Sequence, residues 1–512
     1  MGTTESSVDV PTVEFASTGI AGLDYVLGGG LPAGHLFLVE GSPGTGKTTL
    51  ALQFLLEGVA RGEPSLYVTL AETRNELEKV AASHGWRLDG LEILELTPPD
   101  EVLQPELQYT VFHPSEVEMG QTMRGVYDAV ERYRPRRLVL DSLSEMRLLS
   151  QDPLRLRRQV LAIKHFFIGR RCSVMLLDDM RSADHDLQFA SIAHGVILLE
   201  QSALEYGAER RRLRVSKLRA QRYRGGYHDF AIRTGGLEVY PRLIGADYPM
   251  VEVDAALPSD DPRIDALMGG GLDRGSSSIF VGPAGVGKST LAAQFALAAA
   301  GRGERVAIYL FDERLRTFHA RARGLGMDFT SQLEAGRVVL QQIDPAEVSP
   351  GQFAHLVVRD VEEGGAALVV IDSLSGYMNA MPEDRLLMIH LHELISYLTQ
   401  RGVTSVMTLA QHGPLAHGSS QGAEVSYLAD SIVLLRYFEA AGSVRQAISM
   451  LKKRSGEHEQ TIREFRIQRG GLRLGEPLSA FQGVLTGVPE YVGLNEPLLS
   501  VQPGPGEVIL GS

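Results

Sequence analysis

The chain has 512 residues, of which 44% are hydrophobic and 22% charged, a composition typical of a globular protein with about two to four domains. Its formal net charge of −13 argues against a generic basic coat for nucleic acid, although a local basic patch is compatible with it. The single cysteine, Cys172, excludes an intramolecular disulfide and is expected to pack as a small core residue. No apolar stretch has membrane-spanning length or the form of a signal peptide, so we expect a cytoplasmic protein without membrane contact.

The first informative element is a short apolar strand, Leu36–Val39, followed by a glycine-rich loop and a helical pattern. The loop, Gly41–Thr48, fits G-x-x-x-x-G-K-[ST], in which backbone N–H groups cradle phosphates at a helix N-terminus. The lysine reaches the β- and γ-phosphates, and the hydroxyl ligates Mg²⁺. A second strand and loop, Ser278–Val281 and Gly282–Ser289, repeat the pattern. Two such loops predict binding of a nucleoside triphosphate with Mg²⁺.

The candidate nucleotide-binding residues are Gly41, Ser42, Gly44, Thr45, Gly46, Lys47, Thr48 and Thr49 in the first loop, and Gly282, Gly285, Val286, Gly287, Lys288, Ser289 and Thr290 in the second.

Acidic residues close the next apolar strand of each half. Glu72 follows Leu66–Leu70, and Asp312 and Glu313 follow Ala307–Phe311, with Glu72 and Glu313 at equivalent positions. The carboxyl end of a strand borders the ligand crevice of an open α/β sheet, so these carboxylates are candidates to activate a nucleophile near the γ-phosphate. The alternative is a solvated acid that opens the next helix.

A further apolar strand in each half ends in aspartate. These residues are Asp141, after Arg137–Leu140, and Asp372, after Ala367–Ile371. Together with the loop hydroxyls of Thr48 and Ser289 they are the candidate Mg²⁺ ligands.

Basic residues follow near the end of each half. Lys217 and Arg219 share one face of a predicted strand, as do Lys452 and Arg454, and each pair is a candidate to contact the nucleotide of a neighbouring subunit. Two alternatives remain open: an edge strand protected by charge, or a nucleic-acid patch, since eight residues between Arg210 and Arg224 are Lys or Arg.

The two halves are duplicated domains. An offset of 241 residues relates Lys47 to Lys288 and also Gly28 to Gly269. Alternation of apolar strands with helical stretches predicts an α/β fold with a mainly parallel sheet in each half. We place the N-terminal domain at residues 1–246, a linker at 247–259, the C-terminal domain at 260–485 and a mobile Pro/Gly-rich tail at 486–512.

With these motifs in both halves, from about Val13 to Phe481, the chain resembles the KaiC-like family of tandem RecA-fold ATPases, and is closest in character to its non-clock bacterial branch. The resemblance implies a double-ring homohexamer with ATP between subunits, the N-terminal ring acting chiefly as an ATPase. It also implies that Lys217 and Arg219, and likewise Lys452 and Arg454, act in trans. The family has two adjacent carboxylates at the strand end. Here Asp312 and Glu313 keep both, whereas Ala71 leaves Glu72 alone.

The resemblance also implies phosphate transfer to the chain itself. Ser426 aligns with the acceptor serine, but Tyr427 replaces the acceptor threonine. Ser426 either accepts phosphate, with Asp312 as the candidate base, or bonds locally to the backbone.

The leading hypothesis is therefore a hexameric signalling or timing ATPase that also phosphorylates itself on serine. Two alternatives are kept: a RecA-type DNA-dependent ATPase, and a nucleotide-gated scaffold with little catalysis. A KaiB-like protein or a signalling kinase is a candidate partner. KaiA is not expected, because the C-terminal tail is unlike that of the clock protein, and the acidic charge disfavours nucleic acid without excluding it.

Overall fold

The chain divides into two compact units after Arg242. The sequence placed this division after residue 246. Gly245 belongs to the second unit, because its N–H donates to Glu393 Oε2 (2.9 Å) on the helix Leu387–Gln400. The computed structural model describes residues 14–96, 114–150, 153–179, 187–204, 206–253, 255–379, 387–410, 428–440, 442–484 and 490–491.

The strands of the first unit are β1 (Phe15–Ala16), β2 (Leu31–Pro32), β3 (Leu36–Gly41), β4 (Ser65–Thr69), β5 (Leu91–Glu95), β6 (Arg137–Asp141), β7 (Ser173–Asp179), β8 (Gly195–Ser202), β9 (Arg210–Leu218), β10 (His228–Arg233) and β11 (Gly236–Tyr240). Its helices are α1 (Ala21–Leu27), α2 (Lys47–Ala60), α3 (Arg74–Ser83), α4 (Pro114–Tyr133), α5 (Leu143–Ser150), α6 (Pro153–Ile168) and α7 (Leu187–Ile192).

The main sheet of the first unit has, in its described part, nine strands in the order β11-β10-β9-β8-β3-β7-β6-β4-β5. The strands from β8 to β5 in this order are parallel, whereas β9, β10 and β11 extend the sheet antiparallel. The central strands are buried on both faces, which explains why they read as continuous apolar runs rather than alternating ones. Separate apolar cores cover the two faces, and Cys172 lies in one of them.

The strands of the second unit are β12 (Ala256–Leu257), β13 (Leu272–Asp273), β14 (Ser277–Gly282), β15 (Arg305–Leu310), β16 (Val338–Gln342), β17 (Ala366–Asp372), β18 (Thr404–Ala410), β19 (Ser431–Ala440), β20 (Ser443–Lys453), β21 (Arg463–Gln468), β22 (Gly471–Pro477), β23 (Phe481–Gln482) and β24 (Glu490–Tyr491). Its helices are α8 (Pro262–Leu267), α9 (Lys288–Gly301), α10 (Leu315–Gly324), α11 (Phe329–Glu334), α12 (Pro350–Glu362), α13 (Leu374–Asn379) and α14 (Leu387–Gln400), with a 3₁₀ helix at Gly245–Asp247.

The second unit repeats the topology of the first. Its described main sheet runs β16-β15-β17-β18-β14-β19-β20-β21-β22, so that β14 takes the place of β3 and β18 the place of β7. The prediction of two tandem α/β domains with mainly parallel sheets is thereby confirmed.

The glycines at the start of α2 and α9 explain how each loop turns into its helix. Gly46 (φ 98°) and Gly287 (φ 117°) are the N-cap residues, in the left-handed region that favours glycine. The turn leaves the first N–H groups of each helix at the carboxyl edge of the sheet, where parallel strands place their ligands. Among the helices of the described ranges, none has the length and apolarity that a membrane crossing requires.

Candidate functional sites at the two phosphate-binding loops

The first loop holds its lysine against its own backbone. Lys47 Nζ donates to the carbonyl oxygens of Gly41 (2.7 Å) and Ser42 (3.1 Å). The Thr45 hydroxyl donates to Ser42 O (2.8 Å), which closes the turn. The ammonium group therefore lies against the loop, close to the N-terminus of α2. A phosphate bound there would be attracted by the ammonium charge and by the helix N-terminus.

A carboxylate that we did not single out from the sequence also reaches this lysine. Asp179 Oδ1 lies 2.8 Å from Lys47 Nζ. Asp179 ends β7, the strand between β3 and β6, and pairs in register with Gly41. A signal was present in the sequence, because an apolar strand ends in Asp178 and Asp179 just as another ends in Asp141.

The predicted Mg²⁺ ligand of the first site, Asp141, is half-buried at the end of β6. The Tyr67 hydroxyl donates to Asp141 Oδ2 (2.6 Å). Burial raises the pKa of the Asp141 carboxyl, and this hydrogen bond opposes the rise. Burial also raises the pKa of the Tyr67 phenol, so Tyr67 remains a donor at neutral pH.

Glu72 lies just beyond β4, with its backbone fixed. Its N–H donates to Thr69 Oγ1 (2.9 Å), and its carbonyl accepts from the same hydroxyl (2.8 Å). One carboxylate oxygen, Oε2, is buried and has no hydrogen-bond partner among the described residues. Burial, followed by the negative charge of Asp141, raises the pKa of Glu72 to about 7. The negative charge of Asp141 thus acts on the Glu72 carboxyl.

The second loop holds its lysine in the same way. Lys288 Nζ donates to Gly282 O (2.9 Å) and Pro283 O (2.8 Å). Lys288 is buried, and burial lowers the pKa of its ammonium group. Ala410 occupies the position that Asp179 has in the first unit, because it pairs in register with Gly282. Among the described residues no carboxylate forms an ion pair with Lys288.

The predicted metal ligands of the second site are in contact. Ser289 Oγ donates to Asp372 Oδ1 (2.9 Å), and the Thr408 hydroxyl donates to the same oxygen. Burial raises the pKa of Asp372, while these hydrogen bonds lower it. The hydroxyl and the carboxylate can therefore reach one cation, the arrangement that a hard oxygen-binding ion such as Mg²⁺ requires.

The two carboxylates at the end of β15 both have partners. The Ser373 hydroxyl donates to Asp312 Oδ2. Arg321 on α10 binds Glu313 with two hydrogen bonds, from Nε (3.1 Å) and Nη2 (2.7 Å). The remaining Arg321 nitrogen, Nη1, is buried without a hydrogen-bond partner in the described part of the chain. Sequence reasoning missed Arg321, which lies eight residues after Glu313 on the helix α10.

An open cleft of about 970 Å³ joins these groups in the second unit. It is lined by residues that include Lys288, Ser289, Asp312, Glu313, Arg321 and Asp372. Its volume is in the range of small-molecule sites. The residues present fit a nucleoside triphosphate with Mg²⁺, because loop N–H groups and a lysine face the same space as a contacting hydroxyl and carboxylate.

The four candidate trans cations bind backbone and acid groups of their own unit. Lys217 Nζ donates to the carbonyls of Ala190 (2.5 Å), Ser191 (3.2 Å) and Ala193 (2.7 Å), and Arg219 donates to Ser191 O (3.0 Å). Lys217 and Arg219 are thus anchored side by side around the end of α7.

The second pair has a similar anchor. Lys452 donates to Ala429 O (2.7 Å), and Arg454 forms an ion pair with Asp430 (3.2 Å). Ser426, the candidate phosphate acceptor, and its neighbour Tyr427 lie outside the described residues.

Two arginines of the basic segment Arg210–Arg224 form ion pairs with glutamates of the first unit. Arg212 binds Glu200 (2.9 Å) and stacks over the Tyr227 ring at 4.1 Å. Arg211 binds Glu209 (2.6 Å). These pairs reduce the local positive field that non-specific binding to phosphate backbones requires.

The topology and loop chemistry define a P-loop protein with two RecA-like units. The family model described as "ATPase: KaiC" matches residues 16–244 and 259–479. The chain therefore belongs to the KaiC ATPase family.

Curated relatives cover almost the whole chain. The "Circadian clock protein KaiC3" of Synechocystis sp. is 26% identical over 500 residues, which cover 94% of this chain and 96% of the relative. The "Circadian clock oscillator protein KaiC" of Synechococcus elongatus is 26% identical over 494 residues, covering 94% and 92%. The KaiC of Picosynechococcus sp. is 25% identical over 505 residues, covering 96% of both chains.

Proposed function

We propose that this KaiC-family ATPase binds Mg·ATP at both loops and that the first site is the main hydrolytic centre, with Glu72 as its general base. The observation that carries the proposal is the buried Oε2 of Glu72, which has no hydrogen-bond partner among the described residues and lies within the electrostatic influence of Asp141. A carboxylate with a pKa of about 7 is half ionised at neutral pH, which suits proton transfer from water.

The roles of the remaining groups follow from their chemistry. Thr48 and Asp141 would hold Mg²⁺ in the first site, and Ser289 and Asp372 in the second. Bound Mg²⁺ neutralises charge on the phosphates. Lys47 and Lys288 bind phosphate oxygens, and the loop N–H groups orient the chain of phosphates.

A comparison of two glutamine variants tests the assignment. Steady-state ATP turnover of Glu72→Gln is expected to fall by about 100-fold or more, with nucleotide binding retained, because glutamine cannot accept the proton. Glu313→Gln is the matched variant of the second site and is expected to reduce turnover less, because Glu313 is already paired with Arg321. Equal turnover in Glu72→Gln and wild type would contradict the role of Glu72. Absence of turnover in the wild type would favour a nucleotide-gated scaffold.

The assembly that we propose is a homohexameric double ring in the cytoplasm, with Lys217 and Arg219, and Lys452 and Arg454, contacting the neighbouring subunit's nucleotide. The support is their side-by-side anchoring and the family membership of the chain. Native mass measured with and without Mg·ATP tests the ring. In the double variant Lys217→Ala/Arg219→Ala, turnover should fall while the Lys47 loop still binds nucleotide.

We further propose a signalling or timing role, with self-phosphorylation on Ser426 and Asp312 as base. The proposal is supported by the similarity of the chain to circadian clock proteins. Intact mass and peptide maps after incubation with Mg·ATP test it. Phosphate on Ser426 that is absent in Asp312→Asn and Ser426→Ala is the expected result, and an unmodified chain that still hydrolyses ATP would contradict it. A KaiB-like protein or a signalling kinase is the partner class that such a role implies.

A further inference from the structure

The two P-loop lysines have different electrostatic surroundings, although their loops have the same geometry. Lys47 binds two loop carbonyls and also the Asp179 carboxylate at 2.8 Å. Lys288 binds the equivalent two carbonyls, and the position of Asp179 is taken by Ala410. The first site therefore carries a negative charge that the second site lacks at this position.

The strand order of the sheet determines the position of the Asp179 carboxylate. Strand β7 runs between β3, which leads into the phosphate loop, and β6, which ends in Asp141. In the pairing of β7 with β3, Asp179 is in register with Gly41. Its backbone is also held, because its N–H donates to Ser144 Oγ (3.1 Å). Asp179 is thus held at the end of the strand between β3 and β6, with its carboxylate paired to the loop lysine.

From this geometry we infer that Asp179 is a specificity-determining residue that disfavours a γ-phosphate in the first site and so raises the preference of that site for nucleoside diphosphate over triphosphate. The inference rests on the proposed function of this loop as a nucleotide site. The P-loop lysine serves the β- and γ-phosphates, and the γ-phosphate adds charge beside the lysine. A triphosphate must therefore compete with Asp179 for Lys47 and also face its negative charge, whereas a diphosphate places less charge there.

The size of the effect is limited by solvent. The Lys47 side chain is 10% exposed and that of Asp179 is 31% exposed, so the pair is partly screened. An effect of about tenfold on the ratio of the two affinities is reasonable for a single partly screened charge a few ångströms away. The effect should weaken as salt is raised from about 0.1 M to 1 M, because the Debye length falls from about 10 Å to 3 Å.

The test uses the full-length chain with the second loop disabled by Lys288→Ala. Binding of fluorescent MANT-ADP and of the non-hydrolysable MANT-AMPPNP, each with Mg²⁺, is titrated with and without Asp179→Asn. We expect Asp179→Asn to raise the ratio of triphosphate to diphosphate affinity by about tenfold, and Asp179→Glu, which keeps the charge, to leave the ratio near its starting value.

The second site supplies the converse experiment. In a chain with the first loop disabled by Lys47→Ala, Ala410→Asp should lower the same ratio, because it places a carboxylate at the position in register with Gly282. An unchanged or reduced ratio in Asp179→Asn would overturn the inference about Asp179 while leaving nucleotide binding intact. Failure of the Lys288→Ala chain to bind either nucleotide, with or without Asp179→Asn, would instead overturn the proposed function of the first loop.

Discussion

The two phosphate-binding loops of this protein have the same backbone geometry but differ in the ion pairs formed by the charged residues around them. In the first, a carboxylate holds the loop lysine, and Glu72 lies without a hydrogen-bond partner for Oε2 in the described chain. In the second, the lysine binds only carbonyls among its hydrogen-bond partners, and Glu313 is held by Arg321. A duplicated fold thus preserves where phosphate is placed, while a few substitutions at strand ends decide which groups are available for chemistry.

The largest expected difference concerns pH. Because the raised pKa of Glu72 is about 7, its base form is lost below that value, and first-site kcat/KM should fall by about tenfold per pH unit on the acid side. ATP turnover of a Lys288→Ala chain between pH 5.5 and 8 measures this. In the double variant Lys288→Ala/Glu72→Gln, the residual activity should no longer fall at acid pH. A fall that persists in this variant would assign the titration to another group.

The same pKa shift affects stability in a defined direction. The folded state binds the Glu72 proton more tightly than the unfolded chain does, since its pKa is raised from 4.5 to about 7. Stability from this group is therefore present below about pH 4.5 and is lost as pH rises through about 7. Urea unfolding of Glu72→Gln should show a smaller decline over that interval than the wild type.

A second prediction concerns the Glu313–Arg321 pair. Replacing Arg321 with Met removes the two hydrogen bonds that hold the Glu313 carboxylate, so its oxygens become available to accept a proton from water. We expect second-site turnover, measured in a Lys47→Ala chain, to rise by about tenfold, which is less than the roughly 10²–10⁴-fold that a fully effective general base contributes.

The matched control is Arg323→Met on the same helix, since Arg323 is exposed and its Nε donates only to His319 O (3.3 Å) among the hydrogen bonds described. It should leave turnover unchanged. A fall in turnover in Arg321→Met would contradict the expected rise and would show that Arg321 serves the second site as a required cation.

The smallest expected effect is at Tyr67. Tyr67→Phe removes the hydroxyl that donates to Asp141 (2.6 Å), and should cost about 1.5–3 kcal/mol of folding free energy, as loss of a hydrogen bond to a charged group does. It should also raise the Mg²⁺ concentration that gives half-maximal first-site turnover, because the hydroxyl that orients the predicted metal ligand is lost.

Tyr309→Phe is the control for this variant. Tyr309 also donates to a carboxylate, Asp360 (2.7 Å), which is not among the predicted metal ligands. Chemical denaturation should therefore show a comparable loss of stability with an unchanged Mg²⁺ dependence. An equal shift of Mg²⁺ dependence in both variants would attribute the effect of Tyr67 to general destabilisation.

Much of the fold could be predicted from local patterns. The apolar runs that became β3, β6 and β15 were visible because strands buried on both faces need apolar residues throughout. The loops were visible because phosphate binding restricts several adjacent positions at once. The domain division was displaced by four residues, from 246 to 242, because the packing of Gly245 on α14 depends on a distant residue, Glu393.

The partners of the site residues could not be obtained in this way. Lys47 meets Asp179 because β7 lies beside β3 in the sheet, although 132 residues separate the two in the chain. Arg321 meets Glu313 because α10, which begins shortly after the end of β15, places the arginine side chain within hydrogen-bond distance of the carboxylate. At the equivalent position of the first unit, by the 241-residue offset, the chain has Val80, which cannot form such a pair.

The sequence by itself determined that this protein has two phosphate-binding loops in duplicated α/β domains, because those features depend on residues that are neighbours in the chain. Tertiary structure alone decided which carboxylate holds a lysine, which one is paired with arginine and which one has an unpartnered oxygen. These outcomes depend on strand order and helix direction, and electrostatic interactions act over distances in space, not along the chain.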